Sequence, residues 1–228
     1  IVLLENIQFN KGETENDDQF AKELASLASV YINDGFGQSH REYASFCAIT
    51  KYLPSCAGLL VEKEVNQLSK IINPKKPFIA IVAGAKADKI GALNALIGKA
   101  DKILLGGVLA NTFLKANGVD MKASKYDEET FNAAKELTKQ IGKKLILPED
   151  AAVADKFDNS ANVKNAMLSD IPDGWMALDI GEKTIENYKN ELKDAKTILW
   201  AGPLGVFEME KFSKGTKEIG DFIGSLDA

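Results

Sequence analysis

Three short apolar runs in the C-terminal half of the chain, residues 78–83, 103–105 and 198–201, each lead directly into glycine. Unbroken apolar runs are typical of strands that are buried on both faces of a parallel sheet. In an open α/β sheet, ligands bind outside the carboxyl ends of the strands. The pattern therefore predicts three parallel strands whose glycine-bearing ends form one crevice for a phosphorylated ligand.

The first of these strand ends also carries lysine. Lys86 and Lys89 follow Gly84, at the start of a segment whose apolar residues recur at helical spacing. Glycine lets the backbone approach an anion, and a helix N-terminus supplies free N–H groups and positive potential. An ordinary strand–helix turn with solvent-exposed lysines fits the same residues. The Walker A and G-x-G-x-x-G patterns, the usual nucleotide fingerprints, are absent from the sequence.

The apolar pattern predicts further elements along the chain. Strands are expected at residues 1–4, 30–32, 144–147 and 151–154. Helices are expected from residue 17, around 90–97 and 111–114, over 62–72, 127–140 and 182–193, and at the C-terminal end. Residues 158–174, rich in Asn, Asp and Pro, are expected to be irregular. The strands at 1–4 and 30–32 predict a right-handed parallel βαβ unit, and the Asn-Pro-Lys-Lys-Pro segment from Asn73 predicts a boundary.

Composition and charge narrow the class of protein. The chain has 228 residues, of which 45% are hydrophobic and 27% charged, as in ordinary soluble α/β proteins. A net charge of −5 disfavours binding to nucleic acid or to an anionic membrane. Cys47 and Cys56, in a sequence without a signal peptide, predict reduced thiols in a cytoplasmic protein. With His40 as the only histidine, no metal site is predicted.

Six motifs, in the same order and across the whole chain, resemble those of the phosphoglycerate kinase family. They lie at residues 4–9, 33–41, 84–86, 106–107, 179–181 and 200–208. The resemblance implies an α/β fold with two Rossmann-like lobes, each with a parallel sheet, joined by a long helix. It also implies an incomplete N-terminal lobe for 3-phosphoglycerate at residues 1–61, an interdomain helix at 62–73 and a nucleotide-binding lobe at 74–228.

The activity that the resemblance implies is a glycolytic one. Such an enzyme transfers a phosphoryl group reversibly between 1,3-bisphosphoglycerate with ADP and 3-phosphoglycerate with ATP, with Mg²⁺ bound to the nucleotide. A cytoplasmic monomer is expected. The alternative is a nucleotide-binding fragment or relative without kinase activity. A Rossmann dehydrogenase is disfavoured, because the dinucleotide glycine fingerprint is absent.

The resemblance also assigns roles to individual residues. Arg41, His40 and Gln8 match the substrate-binding positions, and Lys86, Lys89 and Arg41 the catalytic ones. The nucleotide-binding positions are Gly84, Ala85, Lys86, Gly106, Gly107, Ala177, Gly202, Pro203 and Glu208. Glu208 matches an acid that accepts hydrogen bonds from the ribose hydroxyls. On sequence alone, a solvent-exposed arginine without a binding role is the favoured explanation of Arg41.

The sequence departs from the family pattern at several positions. Gln8 stands where the family has an arginine, Ala201 where it has an asparagine, and Ala177 where a glycine is frequent. Lys86 and Lys89 are three positions apart, where the family spaces them by four. The family's early substrate-binding segment would precede Ile1, and its Gly-Gly-Gly-Asp loop would follow Ala228. We therefore expect a central portion of the family's fold with an incomplete active site.

Overall fold

The structure is a computed structural model that describes residues 2–84 and 89–226. For Lys89 it describes only the backbone. The chain divides into two compact units, Ile1–Asn73 and Pro74–Ala228. The units are called unit 1 and unit 2 below. The division falls at the Asn-Pro segment from Asn73, where the sequence predicts a boundary.

Unit 1 consists of short elements. Its helices are α1 Lys11–Thr14, α2 Asp18–Ala25 and α3 Leu59–Leu68, its strands are β1 Tyr31–Asn33 and β2 Ser55–Ala57, and its 3₁₀ turns are Ile7–Phe9, Phe36–Gln38, Ala48–Lys51 and Ser69–Ile71. The side chain of Asp17 caps α2, as predicted, and accepts a hydrogen bond from Phe20 N at 2.7 Å. α3 begins three residues before the predicted helix at 62–72 and gives way to a 3₁₀ turn at Ser69.

The predicted βαβ unit at the start of the chain is wrong. Residues 2–4 are irregular, and the side chains of Val2 and Leu3 are 85% and 95% exposed. An apolar run becomes a strand only where a neighbour accepts and donates its backbone hydrogen bonds, and no strand lies beside residues 2–4 in the part of the chain that the structure describes. β1 instead pairs in parallel with β2, a strand that the sequence does not predict.

Unit 2 contains a parallel sheet between two layers of helices. Its strands are β3 Phe78–Val82, β4 Lys102–Leu105, β5 Leu145–Ile146 and β9 Thr197–Ala201, in the order β5-β4-β3-β9. The helices of unit 2 are α4 Lys89–Ile97, α5 Gly107–Ala116, α6 Phe131–Ile141, α7 Glu182–Leu192 and α8 Lys214–Gly224. Every residue of β3 is buried, which confirms the strand predicted from its unbroken apolar run.

Alternate residues of β3 pack against the two helical layers. Phe78, Ala80 and Val82 belong to a core shared with α4, α5 and α6, whereas Ile79 and Ile81 belong to a core shared with α7 and α8. Successive side chains of a strand point to opposite faces. An apolar strand without alternation therefore requires helices on both sides, and β3 has them.

A second sheet in unit 2, which the sequence does not predict, is antiparallel. β6 Asp150–Ala154, β7 Val163–Met167 and β8 Met176–Ile180 form it in the order β7-β6-β8. β7 lies inside residues 158–174, which the sequence predicts to be irregular. Four of its five residues are exposed, so this edge strand carries no apolar pattern. Among the described helices, none combines the length and the apolar composition needed to cross a membrane.

Candidate functional site

The carboxyl ends of three adjacent parallel strands meet at one edge of the sheet in unit 2. Gly84, Gly107 and Gly202 follow β3, β4 and β9 with positive φ values of 108°, 61° and 90°. A Cβ on Gly107 would lie 2.9 Å from Gly84 N, and one on Gly202 would lie 2.3 Å from Ala83 O. The backbones therefore approach each other more closely than any side chain permits.

A cavity of about 560 Å³ opens at this edge of the sheet. Ligand pockets in proteins usually enclose about 300–1,000 Å³. Its wall is formed by the ends of β3 and β4, the first half of α5, strands β6 and β8 and the turn at residues 203–206. The lining residues used below are Gly84, Gly107, Val108, Asn111, Asp150, Phe157, Ala177, Asp179, Pro203 and Glu208. Apolar side chains and backbone predominate in this wall.

Five of the residues predicted to bind a nucleotide line this cavity: Gly84, Gly107, Ala177, Pro203 and Glu208. Two others lie just behind the wall. A Cβ on Gly106 would meet Leu204 Cδ2 at 2.5 Å, and Gly202 packs against Ala83 O. Ala85 and Lys86 lie outside the described residues, and so does the side chain of Lys89, whose backbone begins α4.

The predicted substrate-binding residues belong to unit 1. Gln8, His40 and Arg41 are all exposed. Gln8 lies in a 3₁₀ turn, where its backbone N donates to Asn6 Oδ1. Arg41 Nη1 donates to the hydroxyl of Tyr43 at 3.3 Å, and the guanidinium lies 5.6 Å from the ring centroid. Within the described residues no carboxylate forms an ion pair with Arg41, so its charge faces solvent.

Asp179 is a buried carboxylate in the cavity wall. Its side chain accepts hydrogen bonds from Ile180 N at 2.9 Å and from Gly215 N at 2.7 Å. A Cβ on Gly205 would meet its Oδ1 at 2.3 Å. Burial raises the pKa of Asp179 to about 6, although both hydrogen bonds act in the opposite direction. Asp179 thus joins β8 to the start of α8 and to the turn that lines the cavity.

The pKa of Asp150, which also lies in the cavity wall, is shifted in the opposite direction. Burial raises the pKa of its carboxyl, but hydrogen bonds from Thr184, Asn165 and Lys183 outweigh this effect, so the pKa lies below its ordinary value. The carboxylate accepts four such bonds, of 2.6 to 3.0 Å. It also lies at the N-terminus of α7, where a negative charge is favourable.

The cavity suits a flat ring with hydroxyl groups attached. Glycine backbone and the Ala177 methyl leave room along its walls, and exposed Glu208 places a carboxylate among the lining residues, where it can accept hydrogen bonds. Phe157 is 59% exposed and adds an aromatic face. Among the described residues, no group of three or more His, Cys, Asp or Glu side chains is arranged to hold a metal ion.

Sequence reasoning missed several residues of this wall. Asn111, Asp150 and Phe157 lie in segments that carry no glycine signal. Asp179 lies in one of the six motifs, yet the sequence assigns it no role. The signal that could have marked this strand end is the polar pair Glu149 and Asp150, which follows the apolar run at residues 145–148.

Comparisons with known proteins agree with the sequence motifs. The family model described as phosphoglycerate kinase matches residues 1–228. A phosphoglycerate kinase of Thermosipho africanus is 47% identical over 96% of this chain and 56% of its own length, and one of Trichodesmium erythraeum is 49% identical with the same coverage. The chain thus spans little more than half the length of the curated relatives it matches.

Solved structures give the same result. The structure of phosphoglycerate kinase from Coxiella burnetii matches with a TM-score of 0.88 and 37% identity, over 100% of this chain and 60% of that chain. The phosphoglycerate kinase from Pyrococcus horikoshii matches with a TM-score of 0.89 and 28% identity, over 99% and 60% of the two chains.

Proposed function

The chain belongs to the phosphoglycerate kinase family, and on that premise we propose that it serves reversible phosphoryl transfer. The donor and acceptor pairs are 1,3-bisphosphoglycerate with ADP and 3-phosphoglycerate with ATP. The nucleotide carries Mg²⁺ as part of the substrate. We further propose a cytoplasmic location, in keeping with the two free thiols, Cys47 and Cys56, and a monomeric state.

The observation that carries the nucleotide half of this proposal is the cavity at the strand ends of unit 2. Gly84, Gly107, Ala177 and Pro203 line its wall together with Glu208. The first four leave room for an adenine ring, and the Glu208 carboxylate is suited to accept hydrogen bonds from the ribose hydroxyls. Gly106 and Gly202 support this wall from behind. Residues 74–228 are accordingly the nucleotide-binding lobe.

The phosphates are assigned to the segment between β3 and α4. Ala85 and Lys86 follow Gly84 there, and Lys89 begins the helix. Phosphoryl transfer needs little covalent help from a protein, because positioning and cationic stabilisation of the transferring group lower most of the barrier. Lys86 and Lys89 supply positive charge where the strand end and the helix N-terminus already favour an anion.

The acceptor substrate is assigned to unit 1. Arg41 has a solvent-facing guanidinium that can hold a carboxylate or a phosphate through two hydrogen bonds. His40 and Gln8 belong to the same assignment. Residues 1–61 are then the partial lobe for 3-phosphoglycerate. Residues 62–73 are the interdomain segment, in which α3 ends at Leu68 and a 3₁₀ turn follows at Ser69–Ile71.

A nucleotide-binding protein without kinase activity is the second candidate. Gln8 in place of an arginine removes one positive charge from the acceptor site, and Ala201 removes an amide next to Gly202. The two candidates share the nucleotide cavity and differ only in turnover.

The deciding experiment measures ADP formation from ATP with and without 3-phosphoglycerate, in the presence of Mg²⁺. The kinase proposal predicts ADP formation that depends on 3-phosphoglycerate and a higher KM for that substrate in Arg41→Ala. The matched control is Lys75→Ala, which removes an exposed positive charge elsewhere. ADP binding without any acceptor-dependent turnover would favour the second candidate.

A further inference from the structure

Three polar side chains are buried in the wall of the nucleotide cavity: Asn111, Asp150 and Asp179, which are 8%, 1% and 5% exposed. The two carboxylates are already engaged. Asp150 accepts four hydrogen bonds from the surrounding chain. Asp179 accepts two and is enclosed by the backbones of Gly205 and Gly215. Asn111 is therefore the buried polar side chain of this wall that has capacity left for a ligand.

The orientation of the Asn111 amide follows from one contact. Asn111 Nδ2 donates to the backbone oxygen of Lys125 at 3.0 Å. A carbonyl oxygen only accepts hydrogen bonds, so the nitrogen must face Lys125 and the oxygen must face the other way. Among the residues that the structure describes, no donor reaches Asn111 Oδ1, and no side-chain oxygen is sealed without a partner. Oδ1 therefore keeps access to the cavity that Asn111 lines.

We propose that Asn111 determines the base specificity of this cavity, with Oδ1 accepting a hydrogen bond from the 6-amino group of adenine. The inference rests on the proposed function, which places the nucleotide here. Apolar walls select a base by size and flatness but not by the groups on its edge. Adenine presents an amino donor at position 6, whereas a 6-oxopurine presents an acceptor.

A 6-oxopurine would bring its oxygen against Asn111 Oδ1, and two acceptors cannot share a hydrogen bond. A site built to hydrogen-bond a substrate rejects an analogue that leaves its buried polar group unpaired. The cavity should therefore prefer ADP to inosine diphosphate. The two nucleotides have the same ribose and phosphates, so the difference reports on the base edge alone.

The test is calorimetric titration of the full chain with MgADP and with magnesium inosine diphosphate. We expect the wild type to bind ADP about tenfold more tightly. Asn111→Leu keeps the size of the side chain and removes its oxygen, and should reduce the ratio of the two affinities to about one.

The control variant separates base recognition from loop anchoring. Thr112 Oγ1 accepts a hydrogen bond from Asp127 N at 3.0 Å, and so anchors the same loop that Asn111 holds through Lys125. Thr112 is fully buried and is not part of the cavity wall. Thr112→Val should therefore leave the ratio near tenfold, even if both affinities fall together.

The possible outcomes separate this inference from the proposed function. A ratio near one in the wild type, an unchanged ratio in Asn111→Leu, or an equal loss of the ratio in Thr112→Val would overturn the role of Asn111 while ADP binding stands. If neither nucleotide binds the folded wild type, both the inference and the proposed nucleotide site are wrong.

Discussion

Asp150 Oδ1 accepts two hydrogen bonds from a single residue, Thr184: one from the backbone N at 2.8 Å and one from the hydroxyl at 2.6 Å. Asp150 begins β6 in the antiparallel sheet, and Thr184 lies in the first turn of α7, which packs on the parallel sheet. This pair therefore links the two sheets of unit 2. It also places a negative charge at a helix N-terminus, where it is stabilising.

We expect Asp150→Asn to destabilise unit 2 by about 2–3 kcal/mol. The amide has one oxygen where the carboxylate has two, so its nitrogen must face donors of the backbone or of a side chain, and these donors lose their acceptor. Urea unfolding at pH 7 measures the change. Asp194→Asn is the control, since Asp194 is exposed and such substitutions usually change stability by less than about 0.5 kcal/mol. Equal stability of the two variants would contradict the linking role of Asp150.

Asp179 should make stability depend on pH in the unusual direction for a carboxylate. Its pKa is raised from 3.8 to about 6 by burial, so the folded state holds the proton more tightly than the unfolded state does. Stability is then highest below the unfolded pKa and is lost as the pH rises through about 6. Relative to Asp179→Asn, the wild type should lose up to about 3 kcal/mol between pH 4 and pH 7.5.

The measurement is the free energy of unfolding of the wild type and Asp179→Asn at several pH values. Other titrating groups cancel in the difference between the two proteins. A difference that stays constant from pH 4 to pH 7.5 would show that the Asp179 carboxyl does not titrate in this range.

Two glycine-to-alanine substitutions should have opposite effects. Gly202 has a φ of 90°, and an added Cβ would lie 2.3 Å from Ala83 O. Gly202→Ala should therefore lower the free energy of unfolding by about 2 kcal/mol or more. Gly91 lies within α4 with no atom within 4 Å of its Cβ position, so Gly91→Ala should stabilise by about 0.5–1 kcal/mol. Thermal unfolding of both variants tests this, and a stable Gly202→Ala would refute the close approach of β3 and β9.

Amide hydrogens of unit 1 should exchange faster than those of unit 2. The buried apolar residues of unit 1 are few and mostly small: Ala21, Ala25, Ala44, Ala48 and Ile49. Ile32 in β1 is 59% exposed, whereas β3 is buried throughout. We expect β1 and β2 to exchange faster than β3 by about two orders of magnitude or more. Comparable protection in β1 and β3, measured by exchange and mass spectrometry, would contradict this expectation.

The sequence predicts those elements whose pattern is created by burial. β3 is recognisable because helices cover both its faces, which allows five apolar residues in succession. β7 is not recognisable, because at the sheet edge its Val163, Lys164 and Asn165 are exposed. Residues 2–4 are the opposite case. They form an apolar run, but among the described residues no neighbouring strand pairs with them, so they do not form a strand.

The residues of the candidate site likewise divide into those that the sequence predicts and those that it does not. Gly84 and Gly107 are predictable, because both have a positive φ and a Cβ on Gly107 would meet the Gly84 backbone, so these positions demand glycine and leave a mark in the sequence. Asn111 and Asp150 are not, because their roles depend on Lys125 O and on Thr184, 14 and 34 positions away along the chain. Such partners become visible only when the fold brings the segments together.

The central claim is that an adenine nucleotide binds in the cavity at the strand ends of unit 2. Val108 is half-buried in its wall, so Val108→Trp should fill part of the space, whereas Val163→Trp places the same ring on the exposed edge of β7.

Titration of MgADP into the wild type and both variants, each shown by circular dichroism to be folded, tests the claim most directly. The account predicts wild-type affinity in Val163→Trp and a loss of about tenfold or more in Val108→Trp. Unchanged affinity in Val108→Trp would show that the nucleotide binds elsewhere.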